Sequence, residues 1–492
     1  MADQSVVIMG GGMAGLTAAA LLSKRGLQVT LLEKEEKTGG YVTGFRRHGF
    51  YFDATGAFLA ACKPGSEFHA IFRELGIAED LDFLPIPAIR NIYPGFEIQL
   101  DYRNPAAYVD SLAQRFPPAR EALAAYSRLT AKLGRQFLAF EKAPLWKKVL
   151  LPLLYPTLFR CARHSHGTIL QRFFKGNQDI IHALSALPTT LPPSQLSYIF
   201  VAVLWAKVLR DGVFYPRGGM VQVTDTLRRV ILAHGGKVQT DQEISLIKNR
   251  DNRVEAVLSR DGSRHEADWY IGAMNPIRGQ ALLAESMPLY SKVFDLQRYT
   301  VSPSALLFYV ALNGEALPAD WPYFVSLHTS EDAEMEAEAI NRGIYKNGLH
   351  LVITTPSLLD PQLAPAGCHA MKILVHAPHA SVFAEEFPDK ADIDRLQAEI
   401  FAIIKEKTGL DAASHSLFTI RATPRTLLER TGNEEGAMYG FDSALGQVGP
   451  GRPPLATRLD NLLWIGHYNR PAHGIVGSAL SGCFAANIIS SK

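Results

Sequence analysis

Three glycines, Gly10, Gly12 and Gly15, stand in a G-x-G-x-x-G spacing, and a carboxylate, Glu33, follows eighteen residues after the last of them. Between a strand and a helix that spacing serves one kind of binding. The first glycine permits a tight turn, the second lets the backbone approach a pyrophosphate, and the third lets helix and strand pack closely. The helix N-terminus then presents its amides to phosphate. An acidic side chain at the end of the next strand is placed to accept hydrogen bonds from both ribose hydroxyls, and Glu there argues against a 2′-phosphate. A second polar group, His467, Tyr468, Arg470 and His473, falls within seven residues near the C-terminus. Because a histidine titrates near neutral pH, His473 and His467 are the catalytic candidates; the alternative for His473 is local packing or hydrogen bonding. No GxSxG, no HExxH and no tight carboxylate pair suggests a hydrolytic site. Cys62, Cys161, Cys368 and Cys483 are too far apart to suggest a zinc site or a disulfide framework. No metal is expected.

The elements that must position these residues read as an α/β chain. VVIM is a strand, GGGMAG a loop, LTAAALLSKRG a helix with a glycine stop, and QVTLLEK a second strand. Later, GGKVQTDQEISLI and RVEAVLSRDGSRHEADWYIGAM read as one alternating strand meander with a hairpin turn at Asp261 and Gly262. NLLWIG, 461–466, is the last strand. Between them, 105–209 is rich in Ala, Leu and helix-period aromatics, whereas 299–419 mixes strand-like runs (SALLFYVAL, HLVITT, AMKILVHA) with a helix over 392–407. The expected organisation is a discontinuous Rossmann-type dinucleotide-binding domain in three parts, 1–104, 210–298 and 420–492. It is interrupted by a helical substrate-side and membrane-facing insertion at 105–209 and a mixed α+β substrate domain at 299–419.

Composition excludes some partners. The chain has 492 residues, 47% hydrophobic, and a formal net charge of +2 with lysine and arginine spread throughout, so nucleic acid is not an expected partner. Only five residues precede the first apolar run, too few for a secretory leader, and a cytoplasmic protein is expected. The run VLLPLLYPTLF, 149–159, is too short for a bilayer span of roughly 20 residues. It could still lie on a membrane, since Trp146, Leu150, Leu153, Leu154 and Phe159 stand among Lys147, Lys148, Arg160 and Arg163; a buried helix with a basic end is the other reading. The stripe LSYIFVAVLWAKVL, 196–209, could line a tunnel or be plain core.

Past Glu33, the second glycine pair Gly39 and Gly40 and the following GFYFDATG resemble the FAD-binding signature of phytoene desaturases, carotenoid isomerases, retinol saturases and amine oxidases. YPRGGM at 215–220, DQEISLI, and NLLWIGHYNRPAHGIVGSALSGCFAANII resemble further segments of that superfamily, in its order. TPRT at 423–426 and GAMYG at 436–440 are most similar to its phytoene desaturase, carotenoid isomerase and retinol saturase branch. The resemblance implies FAD as cofactor, with contacts at Gly10, Gly11, Gly12, Met13, Ala14, Gly15, Glu33, Lys34, Gly39, Gly40, Tyr41, Gly56, Ala57, Ile244, Gly466, Ile475 and Val476. The chain departs from the pattern at Tyr41, where the desaturases usually carry Arg. It departs again at Ala54-Thr55, which both stand between Asp53 and Gly56, and at Ala472-His473, which replace glycines after Pro471. The implied activity is desaturation, saturation or isomerisation of a hydrophobic isoprenoid, polyene or related lipid. Alternatives are an amine-oxidase-like flavoenzyme and a non-catalytic prenyl-binding escort protein. Because no second strand-GxGxxG-helix unit follows, the expected electron partner is oxygen, a quinone or a redox protein rather than a nicotinamide.

Overall fold

The computed structural model describes residues 4–185, 191–345 and 348–491. Its organising element is a five-stranded sheet in the order Lys237–Gln239, Gln28–Leu32, Ser5–Met9, Trp269–Gly272 and Leu462–Trp464, parallel throughout. A parallel sheet is covered on both faces, which is why its strands are almost continuously apolar. Val6 and Ile8 face the helices Met13–Lys24, Val221–Ala233 and Gly474–Ser490. Val7 and Met9, pointing the other way, pack with Ile247, Val257 and Tyr270. The helix Met13–Lys24 stops because Gly26 takes a φ of +87°, a left-handed conformation that a glycine adopts freely.

The single meander expected over 235–274 is divided. Lys237–Gln239 and Trp269–Gly272 join the parallel sheet, whereas Ile244–Arg250, Arg253–Ser259 and Arg264–His265 form a separate antiparallel sheet. Alternation reports that one face of a strand is buried, not which sheet buries it. The turn at Asp261 and Gly262 is present, with Gly262 at φ +89°.

A second, seven-stranded sheet runs Ser416–Ala422, Ser304–Asn313, Cys368–Ala377, His350–Thr354, Phe324–His328, Ala88–Tyr93, Phe96–Asp101. Its last two strands come from a stretch that the sequence assigns to the first cofactor-binding part, and its first strand crosses the boundary drawn at 419. The strand Ser304–Asn313 is buried on both faces: Leu306, Phe308 and Val310 pack with Ile400, Phe401 and Ile404 of the helix Lys390–Thr408, while Ala305, Leu307 and Tyr309 pack with Phe50 and Phe52. The described residues of 105–211 are mainly helical, from Pro105–Arg115 to Tyr198–Asp211. No helix among the described residues is long and apolar enough to cross a membrane.

Candidate active site

The glycine loop has the geometry that its spacing requires. Gly10 has φ +115°, and a Cβ there would lie 2.7 Å from the carbonyl oxygen of Ala273. A Cβ on Gly15 would lie 2.0 Å from the carbonyl oxygen of Gly10, so only glycine lets the helix start against the turn. Gly12 precedes the helix Met13–Lys24 with no side-chain cap, and a Cβ built on it meets nothing within 4 Å. The first-turn amides of that helix are therefore free to meet an anion.

Glu33 is buried just after the strand Gln28–Leu32. Its carboxylate accepts from the amide of Gly11 at 2.7 Å and from that of Glu35 at 3.0 Å. Burial pushes the carboxyl upward, opposed by those two amides and by Lys34. Each carboxylate oxygen keeps a further lone pair. The second glycine pair packs directly on this loop: the Gly39 amide donates to the Gly11 carbonyl at 2.8 Å, with Gly39 at φ +124° and Gly40 at +56°. Tyr41 turns its hydroxyl to the carbonyl of Ala437 at 2.8 Å and its ring towards His467, with centroids 6.3 Å apart. It closes a wall at the position where an arginine would supply charge.

These residues border one cavity of about 1140 Å³. Gly10, Gly12, Met13, Ala14, Glu33, Lys34, Gly39, Gly40, Tyr41, Gly56, Ala57, Ile244, Gly466, His467, His473, Ile475 and Val476 all stand on its wall. Gly11 and Gly15 stand behind it, Gly11 bonded to Glu33 and Gly15 against Gly10. Arg470, expected beside them, is turned away, donating to the carbonyls of Arg452 and Pro450 and lying over the ring of Phe294. The rest of the wall is largely apolar: Ile89, Phe137, Phe200, Trp205, Val352 and Leu374 belong to it. The stripe 196–209 thus serves both uses considered for it, with Phe200 and Trp205 lining the cavity and Val201 and Ala202 in the core.

At the far end of the loop system Gly466 takes φ +114°, and His473 stands at the N-terminus of the helix Gly474–Ser490. Ile475 and Val476 sit in its first turn, so a second helix N-terminus opens on the cavity. Burial lowers His467 to about 4, with the Arg452 charge adding to the effect, and its Nε2 has no hydrogen-bond partner among the described residues. His473 is held well below the ordinary histidine range by burial and by Arg452. Its Nε2 lies 2.9 Å from Ser443 Oγ, and its ring packs between Phe200 and Tyr439. Burial disfavours the charged form of both imidazoles, which leaves each ring able to hydrogen-bond or to accept a proton.

Two buried cations hold this architecture, and neither belongs to a recognisable motif. Lys372 Nζ donates to the carbonyls of Thr55 at 2.7 Å and Gly56 at 2.6 Å, and burial lowers it to about 8. Arg452 donates to the carbonyls of Asn469, Phe441, Gln447 and His467, pinning the 466–473 loop, and burial lowers it to about 10. Asp53 accepts from the hydroxyls of Tyr51 at 2.9 Å and Tyr215 at 2.7 Å and from the Met220 amide at 2.8 Å. It thereby ties the FDATG segment to YPRGGM.

Two glycine-lined helix N-termini, a buried carboxylate with spare lone pairs and an unpartnered His467 Nε2 on one wall fit FAD. At about 1140 Å³ the cavity is larger than the roughly 300–1,000 Å³ of ordinary ligand sites, as a cofactor of the size of FAD requires. Glycine loops and Glu33 would hold the phosphates and ribose, and bound FAD supplies hydride or electron exchange. Fold and site define an FAD-dependent oxidoreductase.

Residues 13–286, more than half of the chain, match the family described as flavin containing amine oxidoreductase, and the chain belongs to that family. It is 26% identical over 515 residues to a 4,4'-diapolycopene oxygenase of Methylomonas sp, covering 98% of this chain and 97% of that protein. It is 23% identical over 506 residues to a 1-hydroxycarotenoid 3,4-desaturase of Flavobacterium sp. (strain P99-3), covering 99% of each. Among solved structures, an oxidoreductase from Methanosarcina mazei superposes with a TM-score of 0.67 at 18% identity, covering 98% of this chain and 100% of that one, which shows a shared fold. The resemblance to the phytoene desaturase family therefore holds.

Proposed function

We propose that the protein desaturates, saturates or isomerises carbon-carbon double bonds of a long apolar isoprenoid or carotenoid-like lipid. The single observation that carries this reading is the continuity of the cavity: the glycine loops and Glu33 share it with Phe200, Trp205, Val352 and Leu374. The relatives named for carotenoids support it. The aromatic and aliphatic wall orients the chain of the substrate and excludes water, while His473, fixed by Ser443, lends a neutral hydrogen-bonding group. Electrons pass to or from oxygen, a quinone or a redox protein, since the only all-parallel sheet among the described residues is the one already occupied by the Gly10 loop. Leu374→Trp fills the apolar part of the cavity. Its polyene turnover should fall at least tenfold with FAD content unchanged; turnover equal to wild type would remove this wall from the substrate path.

The same reading places the enzyme on a membrane face, where such a lipid resides, with 105–209 as the membrane-facing insertion of a cytoplasmic protein. Support comes from the short helices Leu145–Val149, Leu151–Leu154 and Pro156–Cys161, which expose Trp146 (62%), Leu153 (78%) and Phe159 (54%) together with Val149, Leu150 and Leu154. Lys147, Arg160 and Arg163 stand among them, whereas Lys148 turns inward to the Glu141 carbonyl and the Phe140 ring. Each basic side chain near an anionic surface contributes about 1 kcal/mol. Reversing Lys147, Arg160 and Arg163 to Glu should lower partitioning onto anionic liposomes by roughly two orders of magnitude at low salt, without loss of FAD. Equal co-sedimentation of the reversed protein would contradict the docking.

A further inference from the structure

Beside the cavity, on whose wall His350 stands, four side chains from four elements meet in the interior. His328 ends the strand Phe324–His328, and His350 begins the antiparallel strand His350–Thr354, paired with it in register. Glu336 projects from the helix Ala333–Asn341 and His182 from the helix Gln178–Ser185, and all four are buried. The carboxylate is the focus. His328 Nδ1 lies 3.0 and 3.1 Å from its two oxygens, His182 Nε2 3.7 Å and His350 Nδ1 3.8 Å from it. Ser326 Oγ lies 3.1 Å from Nε2 of His328 and 3.2 Å from Nε2 of His350, which orients both rings with Nδ1 towards Glu336.

Two features of this group ask for a ligand. A buried carboxylate needs a cation, yet no lysine or arginine pairs with Glu336 among the described residues; its ion partners are the three histidines. His182 Nε2 faces the carboxylate with no hydrogen-bond partner among the described residues. One nitrogen of His182, one of His328 and an oxygen of Glu336 all lie within 4.8 Å of one another. With metal-ligand bonds of about 2.0–2.1 Å, the edges of a tetrahedron are about 3.4 Å, so the separations of 3.0 and 3.7 Å from Glu336 need only small shifts.

We propose that His182, His328 and Glu336 form a site for a divalent transition metal, Zn²⁺ foremost, with Ser326 as the outer partner that fixes the His328 tautomer and His350 stacked beside it. Mixed imidazole and carboxylate ligands suit zinc and its first-row neighbours. A ligating histidine usually donates its remote ring N–H to an outer oxygen, and Ser326 Oγ is placed to accept it from His328 Nε2. The metal would clamp the helix Gln178–Ser185 and the helix Ala333–Asn341 to the seven-stranded sheet.

The test uses the FAD-loaded protein, stripped with a chelator and dialysed against Zn²⁺ or Co²⁺. Wild type should retain about one metal per chain by elemental analysis, with a rise in melting temperature. Glu336→Gln and His182→Gln should retain less than about a tenth of that while keeping their FAD. Failure of wild type to retain any divalent metal stoichiometrically would overturn the site and leave a hydrogen-bonded histidine network; so would folded variants that bind as wild type does. The wild-type measurement decides the matter even where a variant does not fold.

Discussion

Gly12→Val should give a stably folded protein that has lost FAD. The backbone at Gly12 has φ −75°, within the range of any residue, and a Cβ there points into open space with nothing inside 4 Å. The apoprotein has no steric reason to object, and its melting temperature should stay within a few degrees of wild-type apoprotein. That open space is where the pyrophosphate would approach the helix N-terminus. Valine therefore excludes the cofactor, and FAD affinity should fall by at least a hundredfold, about 2.7 kcal/mol. Gly15→Val is the informative partner, because its Cβ would collide with the Gly10 carbonyl at 2.0 Å and should damage apoprotein and cofactor binding together. Fluorescence titration with FAD and thermal melts of both apoproteins separate the two effects. A Gly12→Val protein that binds FAD as wild type does would place the phosphates elsewhere.

Asp53→Ala should be the most destabilising single change outside the hydrophobic cores. Three donors converge on this buried carboxylate, the hydroxyls of Tyr51 and Tyr215 and the amide of Met220. Truncation leaves all three without their acceptor, and buried Lys372 loses the negative charge that favours its protonated form. An unsatisfied buried polar group costs about 1–3 kcal/mol, so a loss of about 3–5 kcal/mol in chemical denaturation is expected after partial relaxation. Asp53→Asn keeps one acceptor oxygen and should lose roughly half as much. FAD binding should weaken in step, since Lys372 and Asp53 both position the 53–57 segment that borders the cavity. An Asp53→Ala protein within about 1 kcal/mol of wild type would show that the segment is held by other contacts.

The cofactor loop was legible because its chemistry is local. Gly10, Gly12, Gly15 and Glu33 lie within one strand-helix-strand unit, where spacing and geometry are the same information. Lys372 and Arg452 were not legible for the opposite reason: they act on the carbonyls of Thr55 and Gly56 and of His467 and Asn469, contacts that only the packed chain creates. Alternation in 235–274 marked strands but could not say that the outer ones pair in parallel with Gln28–Leu32 and Ser5–Met9. Likewise the strands Ala88–Tyr93 and Phe96–Asp101 carry no mark of the distant sheet whose edge they complete. His473 stood out as a bulky residue in a glycine-rich stretch, and it does line the cavity; only its surroundings, Ser443, Phe200, Tyr439 and Arg452, reveal that it is held neutral. The histidines around Glu336 are separated by up to 168 positions, the distance from His182 to His350 in the chain, and no short motif could have gathered them.

The central claim, an FAD enzyme whose apolar cavity takes a long polyene or isoprenoid, is tested most directly by anaerobic incubation of the FAD-loaded protein with detergent-dispersed carotenoid precursors and, separately, with aliphatic amines. Flavin absorbance is followed and the lipid is analysed afterwards by chromatography. With the oxidised flavin the expected result is a product with more double bonds and a bleached flavin, or one with rearranged double bonds. With a second sample whose flavin has first been reduced with dithionite it is a product with fewer double bonds and a reoxidised flavin, and in neither sample do amines give a response. Bleaching by amines with every polyene recovered unchanged would contradict the account and make the protein an amine oxidase in substrate as well as in family.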